Sequence, residues 1–224
     1  MSLPETPQVV GTIHSSGALK KALQLRRGQV DLLELRVDHF ASDPDVLLKV
    51  ASRLAAPLIV TVRHPTEGGA NSLSKAHRRE LFRLFLPVAA FVDLELRSGD
   101  DFEEVVETAR DQGTHVIFSD HHFRSTPSPS RLRERLALAR KLNAGIFKLA
   151  AFASNASDLA VLLELLVKEK RQPMSIMGMG PFGKVSRLLF ARAGSLLNYG
   201  YLDKPQVSGQ WEATLLKARI GELE

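Results

Sequence analysis

Short runs of β-branched and apolar residues alternate along this chain with longer segments whose apolar residues recur at helical spacing, as Leu132, Leu136 and Leu142 do. Strands that alternate with helices pair in parallel, and eight such units favour a compact, closed (β/α)8 TIM barrel. An open doubly wound sheet is the alternative, but no GxGxxG motif follows the first strand. The predicted strands are Val9–Ile13, Leu32–Val37, Leu58–Val62, Phe91–Leu96, His115–Ser119, Ile146–Ala150, Met174–Met179 and Leu196–Tyr199.

One domain is predicted to span residues 1–224, because no linker or low-complexity segment divides the chain. The first strand begins at Val9, so the N-terminal segment is short. The absence of cysteine excludes disulfides, zinc–thiolate sites, iron–sulfur clusters and a cysteine nucleophile. A formal net charge of +5 suits an anionic partner but is weak support for nucleic-acid binding.

The N-terminus shows none of the features of a secretion signal. Pro4, Glu5 and Pro7 stand where a signal peptide would have a basic and then an apolar segment. No apolar run approaches the roughly 18 residues that span a bilayer. We expect a cytoplasmic protein without membrane contact, and the sequence leaves open whether it forms a homodimer.

Charged residues occupy every second position in several predicted strands. Glu34, Arg36 and Asp38 alternate with apolar residues, and the pattern recurs in segments 59–63, 92–97 and 147–149. One face of each strand is therefore charged and the other apolar. Solvated edge strands would show the same pattern, but a barrel has no edges. In a barrel the apolar faces meet the helices, so the charges predict a polar pocket at the C-terminal mouth.

Lys148 has almost wholly apolar neighbours in segment 145–152. Such surroundings disfavour the ammonium form, and a neutral amine can attack a carbonyl carbon. A lysine that extends from a buried strand to solvent is the other interpretation. This segment alone favours neither.

His121 and His122 stand just past the fifth predicted strand, where an imidazole can transfer protons. Adjacent histidines rarely bind one metal ion together, and the chain has no HxH or HExxH motif. We therefore expect no metal site. A loop histidine without a role is the remaining alternative.

Two arginines follow predicted strands at the same end of the barrel. Arg63 precedes a turn at 64–69, and Arg187 follows a glycine-rich loop at 178–183. In barrels such a loop often binds phosphate, whereas an arginine can hold a carboxylate through two hydrogen bonds. The loop does not decide between the two ligands.

Taken together, these segments resemble type I 3-dehydroquinate dehydratase, a barrel enzyme of the shikimate pathway that forms an imine on a lysine. The resemblance covers about Leu32 to Gln210, with its motifs in family order. These are ELRVDH at 34–39, TVR at 61–63, EGG at 67–69, DLEL at 93–96, SDHHF at 119–123, FKLA at 147–150, MGM at 177–179, Gly183, SR at 186–187 and GQ at 209–210.

The resemblance implies that Lys148 forms the imine, that His121 acts as general base and acid, and that Glu67 orients His121. It gives His122 no part in the mechanism. It also implies a set of substrate contacts, namely Glu34, Arg36, Arg63, Arg187, Gln206 and Gln210. The implied reaction is a hydro-lyase step of aromatic amino-acid (chorismate) biosynthesis, which converts 3-dehydroquinate to 3-dehydroshikimate and water. It needs no cofactor, because the lysine imine serves as the electron sink.

The loop after the eighth strand departs from the family pattern. Gln206 replaces a small hydroxyl residue, and Ser208 replaces a proline. We expect Gln210 to make the main contact of this lid with the substrate and Gln206 a secondary one.

Two other functions compete with the dehydratase. A lysine-imine aldolase or transaldolase acting on a phosphorylated sugar would use the glycine-rich loop for phosphate, but it leaves His121, Glu67 and Gln210 without a purpose. A basic RNA-binding protein is the non-enzymatic alternative. Aromatic residues make up only 6% of the chain, and none of them lies in a basic run that could stack bases.

Overall fold

A computed structural model of the chain, which describes residues 2–223, contains eight parallel strands in one sheet. Their order is β7-β6-β5-β4-β3-β2-β1-β8. The strands are β1 (Gln8–Ile13), β2 (Leu32–Arg36), β3 (Leu58–Thr61), β4 (Ala89–Glu95), β5 (His115–His122), β6 (Ile146–Phe152), β7 (Met174–Met179) and β8 (Leu197–Tyr201).

A helix follows each strand. The helices are α1 (Ser16–Gln24), α2 (Pro44–Ala51), α3 (Lys75–Phe85), α4 (Glu103–Asp111), α5 (Pro129–Lys141), α6 (Ala156–Lys168), α7 (Gly183–Arg192) and α8 (Ala213–Gly221). Several begin at a side-chain cap; the Ser74 hydroxyl, for example, accepts a hydrogen bond from the backbone of His77 at the start of α3. Within residues 2–223, no helix has both the length and the apolarity needed to cross a bilayer.

The sheet curves until its two end strands, β7 and β8, lie side by side. The Leu196 amide donates to the Met174 carbonyl at 2.8 Å, and the Ser175 hydroxyl donates to the Leu197 carbonyl. The predicted (β/α)8 barrel is therefore confirmed, and the open doubly wound sheet is wrong.

The predicted and observed strands differ mainly at their C-terminal ends. β7 has the predicted bounds, whereas β5 and β6 run on to His122 and Phe152. The prediction that His121 and His122 follow the fifth strand is therefore wrong, because both residues lie in β5. Their backbone pairs with β6, His121 opposite Ala150 and His122 opposite Ala151. This pairing gives His121 a fixed position at the mouth of the barrel.

Alternate residues of the strands form two separate apolar layers. Outward residues such as Leu33, Leu35 and Val60 pack with the helices in the larger layer. Inward residues fill the N-terminal half of the barrel in the smaller layer, which includes Val10, Leu32, Ile59, Phe91, Ile117, Ile146 and Leu197. Two residues further along each of these strands the inward side chain is polar in most cases: Thr12, Glu34, Thr61, Asp93, Ser119 and Lys148. The charged residues that were predicted to face inward thus form a polar layer, which lies on the C-terminal side of the inward apolar layer.

Candidate active site

A cavity of about 630 Å³ opens at the C-terminal ends of the strands. All nine predicted site residues line it: Glu34, Arg36, Arg63, Glu67, His121, Lys148, Arg187, Gln206 and Gln210. Functional sites of barrels of this kind lie at this face, where the strand ends and the following loops converge. The structure therefore brings together residues that are spread over most of the sequence.

Lys148 projects from β6 into the centre of the polar layer and is only 4% exposed. Its Nζ lies 2.9 Å from Asp93 Oδ2 and 3.4 Å from Glu34 Oε1. The ring of Tyr199 lies on another side, with its centroid 3.8 Å from Nζ. The prediction of apolar surroundings is therefore wrong beyond the sequence neighbours, because two carboxylates reach the amine from across the barrel. The alternative of a lysine extending to solvent is also wrong, since Nζ stays in the cavity.

Asp93 is the functional residue that the sequence analysis did not assign. Its carboxylate accepts from Lys148 through Oδ2 and lies 2.9 Å from Arg63 Nη2 through Oδ1. Although burial opposes the shift, the Arg63 guanidinium and the Lys148 ammonium hold the pKa of Asp93 well below its usual range. A carboxylate that stays ionised in a buried site offers a permanent partner to a cationic nitrogen. Its place in the inward alternation of β4 is the signal that could have identified it.

Arg63 lines the cavity but is only 2% exposed. Besides Asp93, it contacts Glu95 at 3.3 Å and donates to the Ser119 hydroxyl at 2.6 Å. Burial alone would lower the pKa of Arg63, but the surrounding carboxylates, Asp93 first, raise it above its usual value. The guanidinium of Arg63 therefore has few donors left for the predicted contact with a substrate. Its positive charge balances the buried carboxylates Asp93 and Glu95.

His121 faces the cavity, and its Nδ1 lies 2.9 Å from Glu67 Oε2. Glu67 is brought there by a short 3-10 turn, Pro65–Glu67, after β3. The turn ends at Gly68, whose φ of +82° favours glycine, and at Gly69, where a Cβ would lie 2.2 Å from the Arg63 carbonyl. The GG pair in the sequence is thus what lets Glu67 turn back toward β5.

The environment of the His121–Glu67 pair favours the uncharged form of both groups. Burial, with Arg63 and Lys148 nearby, lowers the pKa of His121 well below its usual value. Burial also raises the pKa of Glu67 to about 8, against the opposing effect of Arg63. When Nδ1 carries the ring hydrogen and donates it to Glu67 Oε2, the neutral imidazole can take up a proton at its other nitrogen, Nε2. The arrangement suits a general base.

His122 points to the outside of the barrel, although it is adjacent to His121. Its Nε2 lies 2.9 Å from Asp120 Oδ2, and Arg135 of α5 binds the same carboxylate with two nitrogens, at 2.7 and 3.1 Å. His122 does not line the cavity. This cluster ties the end of β5 to α5, on the face opposite His121.

Glu34 and Arg36 form the β2 side of the cavity. Glu34 accepts from the Thr61 hydroxyl at 3.1 Å as well as contacting Lys148. Arg36 binds Asp38 through Nε and Nη2, and Nη2 also donates to the Gly68 carbonyl at 2.9 Å. No hydrogen bond to any of residues 2–223 uses Arg36 Nη1, so this nitrogen is available to a ligand.

Arg187 is 1% exposed and binds four backbone carbonyls. Nε donates to Tyr199, and Nη1 donates to Gly178, Gly183 and Gly209 at 2.8–2.9 Å. Burial lowers the pKa of Arg187 to about 10, so it remains cationic at neutral pH. In the part of the chain described, Nη2 makes no hydrogen bond, and the residue lines the cavity. One end of the guanidinium is therefore free to hold a carboxylate.

The loop after β8 closes the cavity on the side of Arg187. Gln210 Oε1 accepts from the Gln206 amide at 2.7 Å and from the Val207 amide at 3.5 Å. Gly209 has a φ of +83° and no room for a side chain, since a Cβ would lie 2.4 Å from the Gly180 carbonyl. Gln210 thus shapes the loop through its oxygen, while Gln206 lies at the rim.

Tyr199, His14 and His39 are among the further lining residues to which the sequence analysis gave no role. The rings of His14 and His39 meet edge to face at 5.8 Å. His14 sits at an inward position at the end of β1, which is the only sequence signal for it. Within residues 2–223, no three His, Asp or Glu side chains lie together as metal ligands would.

Comparison with known proteins identifies relatives over almost the whole chain. The family model described as Type I 3-dehydroquinase matches residues 10–220. The 3-dehydroquinate dehydratase of Methanocella arvoryzae is 35% identical over 206 residues, which cover 91% of each chain. That of Escherichia coli is 32% identical over 211 residues, covering 88% of this chain and 84% of the relative.

Solved structures agree with the sequence relatives. The type I 3-dehydroquinate dehydratase of Clostridium difficile, solved with covalently modified comenic acid, superposes with a TM-score of 0.87 at 26% identity, covering 98% of this chain and 93% of that one. The enzyme from Geobacillus kaustophilus gives a TM-score of 0.88 at 25% identity, covering 97% and 91%. With a family model and curated relatives matching most of its length, this chain belongs to the type I 3-dehydroquinase family.

Proposed function

We propose that this chain converts 3-dehydroquinate to 3-dehydroshikimate and water through an imine on Lys148, with His121 transferring the proton. The observation that carries the proposal is the arrangement of the cavity: an amine held by Asp93 and Glu34 faces the same space as a histidine paired with Glu67. The reaction belongs to the hydro-lyases and to the shikimate pathway, as the family assignment implies.

The proposed reaction begins with a bond between Lys148 Nζ and the C3 carbonyl carbon of the substrate. Loss of water from this adduct leaves an iminium, which withdraws electrons from the adjacent carbon. His121 then removes a proton from C2, and the electron pair forms an enamine. The enamine expels the C1 hydroxyl, which leaves as water after His121 returns its proton. Hydrolysis of the imine releases the product and restores the amine.

Asp93 is positioned to balance charge along this sequence. Lys148 attacks as the neutral amine, and the iminium that forms is cationic at the nitrogen that lies against Asp93. Because Asp93 stays ionised, the positive charge has a partner at each stage, in a site where an unpaired charge would be costly. The Tyr199 ring stabilises a positive charge on the same nitrogen through a cation–π contact from its other side.

The free donors around the cavity suit a substrate with a carboxylate and hydroxyls. We assign the carboxylate to Arg187 Nη2, and the hydroxyls to Glu34, Arg36 Nη1 and the Gln210 carboxamide. A net charge of +5 favours the approach of an anionic substrate. Arg63 supports the site from below, through Asp93 and Ser119.

The geometry does not favour an aldolase or transaldolase that binds a sugar phosphate in the glycine-rich loop. Two backbone amides of that loop are already used: the Gly178 amide donates to the Ser186 hydroxyl at 2.9 Å, and the Gly180 amide donates to the Ser208 carbonyl at 3.0 Å. These bonds leave little of the loop to hold a phosphate. The family assignment likewise does not support an RNA-binding protein.

The proposal is tested by incubating the protein with 3-dehydroquinate and following the absorbance of the conjugated enone product. We expect turnover by the wild-type chain and none by Lys148→Met, which retains the length of the side chain but no amine. Absence of signal at micromolar wild-type enzyme would overturn the proposal.

We further propose that residues 1–224 act as a single catalytic domain in the cytoplasm. We propose a homodimer as the assembly, which sedimentation tests.

A further inference from the structure

A second, smaller polar pocket lies behind the catalytic cavity. Its volume is about 150 Å³, and it is formed between the turn after β3, the start of α3 and the segment after β4. It shares none of its lining residues with the catalytic cavity. The lining residues are His64, Leu73, Lys75, Arg78, Arg97, Ser98, Asp101 and Phe102.

Arg78 forms the floor of this pocket. It is 2% exposed, and its guanidinium carbon lies 4.8 Å from the centroid of the Phe102 ring. Nε and Nη2 bind the Val62 carbonyl, and Nη2 also lies 2.6 Å from Glu95 Oε2. No hydrogen bond to any of residues 2–223 uses Nη1. A buried cation that lines a cavity thus keeps one nitrogen without a protein partner.

The charge around the pocket is not balanced. Lys75 and Asp101 pair with each other at the rim, and Arg78 pairs with Glu95. Arg97, also at the rim, makes no salt bridge with any described residue; its Nη1 donates to the Thr66 hydroxyl at 2.8 Å. The pocket therefore has one positive charge in excess.

The donors of the pocket come from two segments, Arg78 from α3 and Arg97 and Ser98 from the segment after β4. Ser98 is 6% exposed, and its hydroxyl makes no hydrogen bond with residues 2–223. Together with Arg78 Nη1 and the free nitrogens of Arg97, it offers the several donors that a tetrahedral oxyanion requires. A cavity of about 150 Å³ is large enough to hold such an ion.

We propose that this pocket binds a small tetrahedral oxyanion, such as inorganic phosphate, between Arg78, Arg97 and Ser98. The bound ion would be connected to Asp93 through three residues, because Arg78 holds Glu95, Glu95 contacts Arg63, and Arg63 holds Asp93. The site is separate from substrate binding, and its existence does not depend on the proposed dehydratase activity.

Thermal unfolding in phosphate, compared with chloride at equal ionic strength, tests the proposal. A ligand that binds only the folded state raises Tm in a saturable way. We expect such a rise, of a few degrees, for the wild-type protein and for Arg83→Gln. This control removes the same charge from an exposed position of α3 that lies outside the pocket. Arg97→Gln and Ser98→Ala should shift the midpoint of the phosphate dependence at least several-fold toward higher concentration.

Two results would overturn the proposal: no phosphate-specific rise in wild-type Tm, or the same phosphate dependence in Arg97→Gln and Ser98→Ala as in wild type. Both pocket variants alter partly free side chains, so they keep the test valid if Arg78→Gln fails to fold. Glycerol 3-phosphate distinguishes the free ion from a phosphate ester. If glycerol 3-phosphate raises Tm no more than inorganic phosphate does, the result supports the free ion as ligand. A larger rise in Tm assigns the same site to a phosphate ester.

Discussion

His121 Nδ1 lies 2.9 Å from Glu67 Oε2, and burial moves the pKa values of the two groups in opposite directions, toward a pair without net charge. A glutamate at this distance fixes which ring nitrogen is directed into the cavity. The free nitrogen, Nε2, is thereby the one that can exchange a proton with a bound substrate.

His121→Ala should lower kcat by about 10²–10⁴, the range for loss of a general acid–base group. Imine formation on Lys148 should persist, because the amine and its carboxylate partners are untouched. His122→Ala is the matched control, since His122 contacts Asp120 outside the cavity. Steady-state kinetics of the two variants provide the measurement. A larger loss in His122→Ala would mean that the other histidine of the pair transfers the proton.

Glu67→Gln should change how stability depends on pH. The pKa of Glu67 is raised to about 8 in the folded protein, so the folded state holds a proton that the unfolded state has already released. Stability from this group is fully present below the unfolded pKa of 4.5 and is lost as pH rises through 8. Between pH 7 and 8.5 the free energy of unfolding should fall more for wild type than for Glu67→Gln, because only wild type has the Glu67 carboxyl to titrate. Urea titrations of both proteins at these two pH values test this expectation. An equal fall in the free energy of unfolding of wild type and Glu67→Gln would contradict the raised pKa of Glu67.

Gln210→Ala should reduce kcat/KM more than Gln206→Ala does. The Gln210 oxygen holds the backbone amides of Gln206 and Val207, so its loss loosens the loop that covers the substrate. Gln206 offers at most one neutral hydrogen bond, worth about 0.5–1.5 kcal/mol, which predicts a change of about tenfold at most. Equal, large losses at both positions would show that Gln206 has a primary binding role.

Tyr199→Phe should not lower Tm. The Tyr199 hydroxyl is buried without a hydrogen-bond partner among the described residues, and a buried unsatisfied group costs about 1–3 kcal/mol. Phenylalanine keeps the ring that lies 3.8 Å from Lys148 Nζ. Calorimetry of this variant beside Tyr201→Phe tests the expectation, and a clear drop in Tm confined to Tyr199→Phe would mean that the hydroxyl has a stabilising partner.

The barrel could be predicted because it follows from short-range patterns, whereas the roles expected of the site residues rest on the family resemblance. Alternation along β2 and β4 shows which residues face inward, and GG after Glu67 indicates a tight turn. What surrounds Lys148 could not be predicted this way, because its partners, Asp93 and Glu34, come from strands elsewhere in the barrel. Such contacts depend on strand register and on closure of the sheet.

The loop after β8 shows a second limit of sequence reasoning. Gln206 and Gln210 both line the cavity, but their division of roles rests on a hydrogen bond from the backbone of one to the side chain of the other. Residue identity does not encode that bond. Arg187 is similar: the sequence predicts a ligand for it, whereas the structure shows most of its donors bound to carbonyls of the flanking loops.

The central claim is that Lys148 is the nucleophile, and reductive trapping tests it most directly. Borohydride added with 3-dehydroquinate or with the product should inactivate the enzyme and leave a reduced, stable adduct. Peptide mass mapping should place the added mass on Lys148, with none on the chain of Lys148→Met. His121→Ala should still be labelled. An adduct on another lysine, or no adduct in an enzyme that turns over, would contradict the imine mechanism.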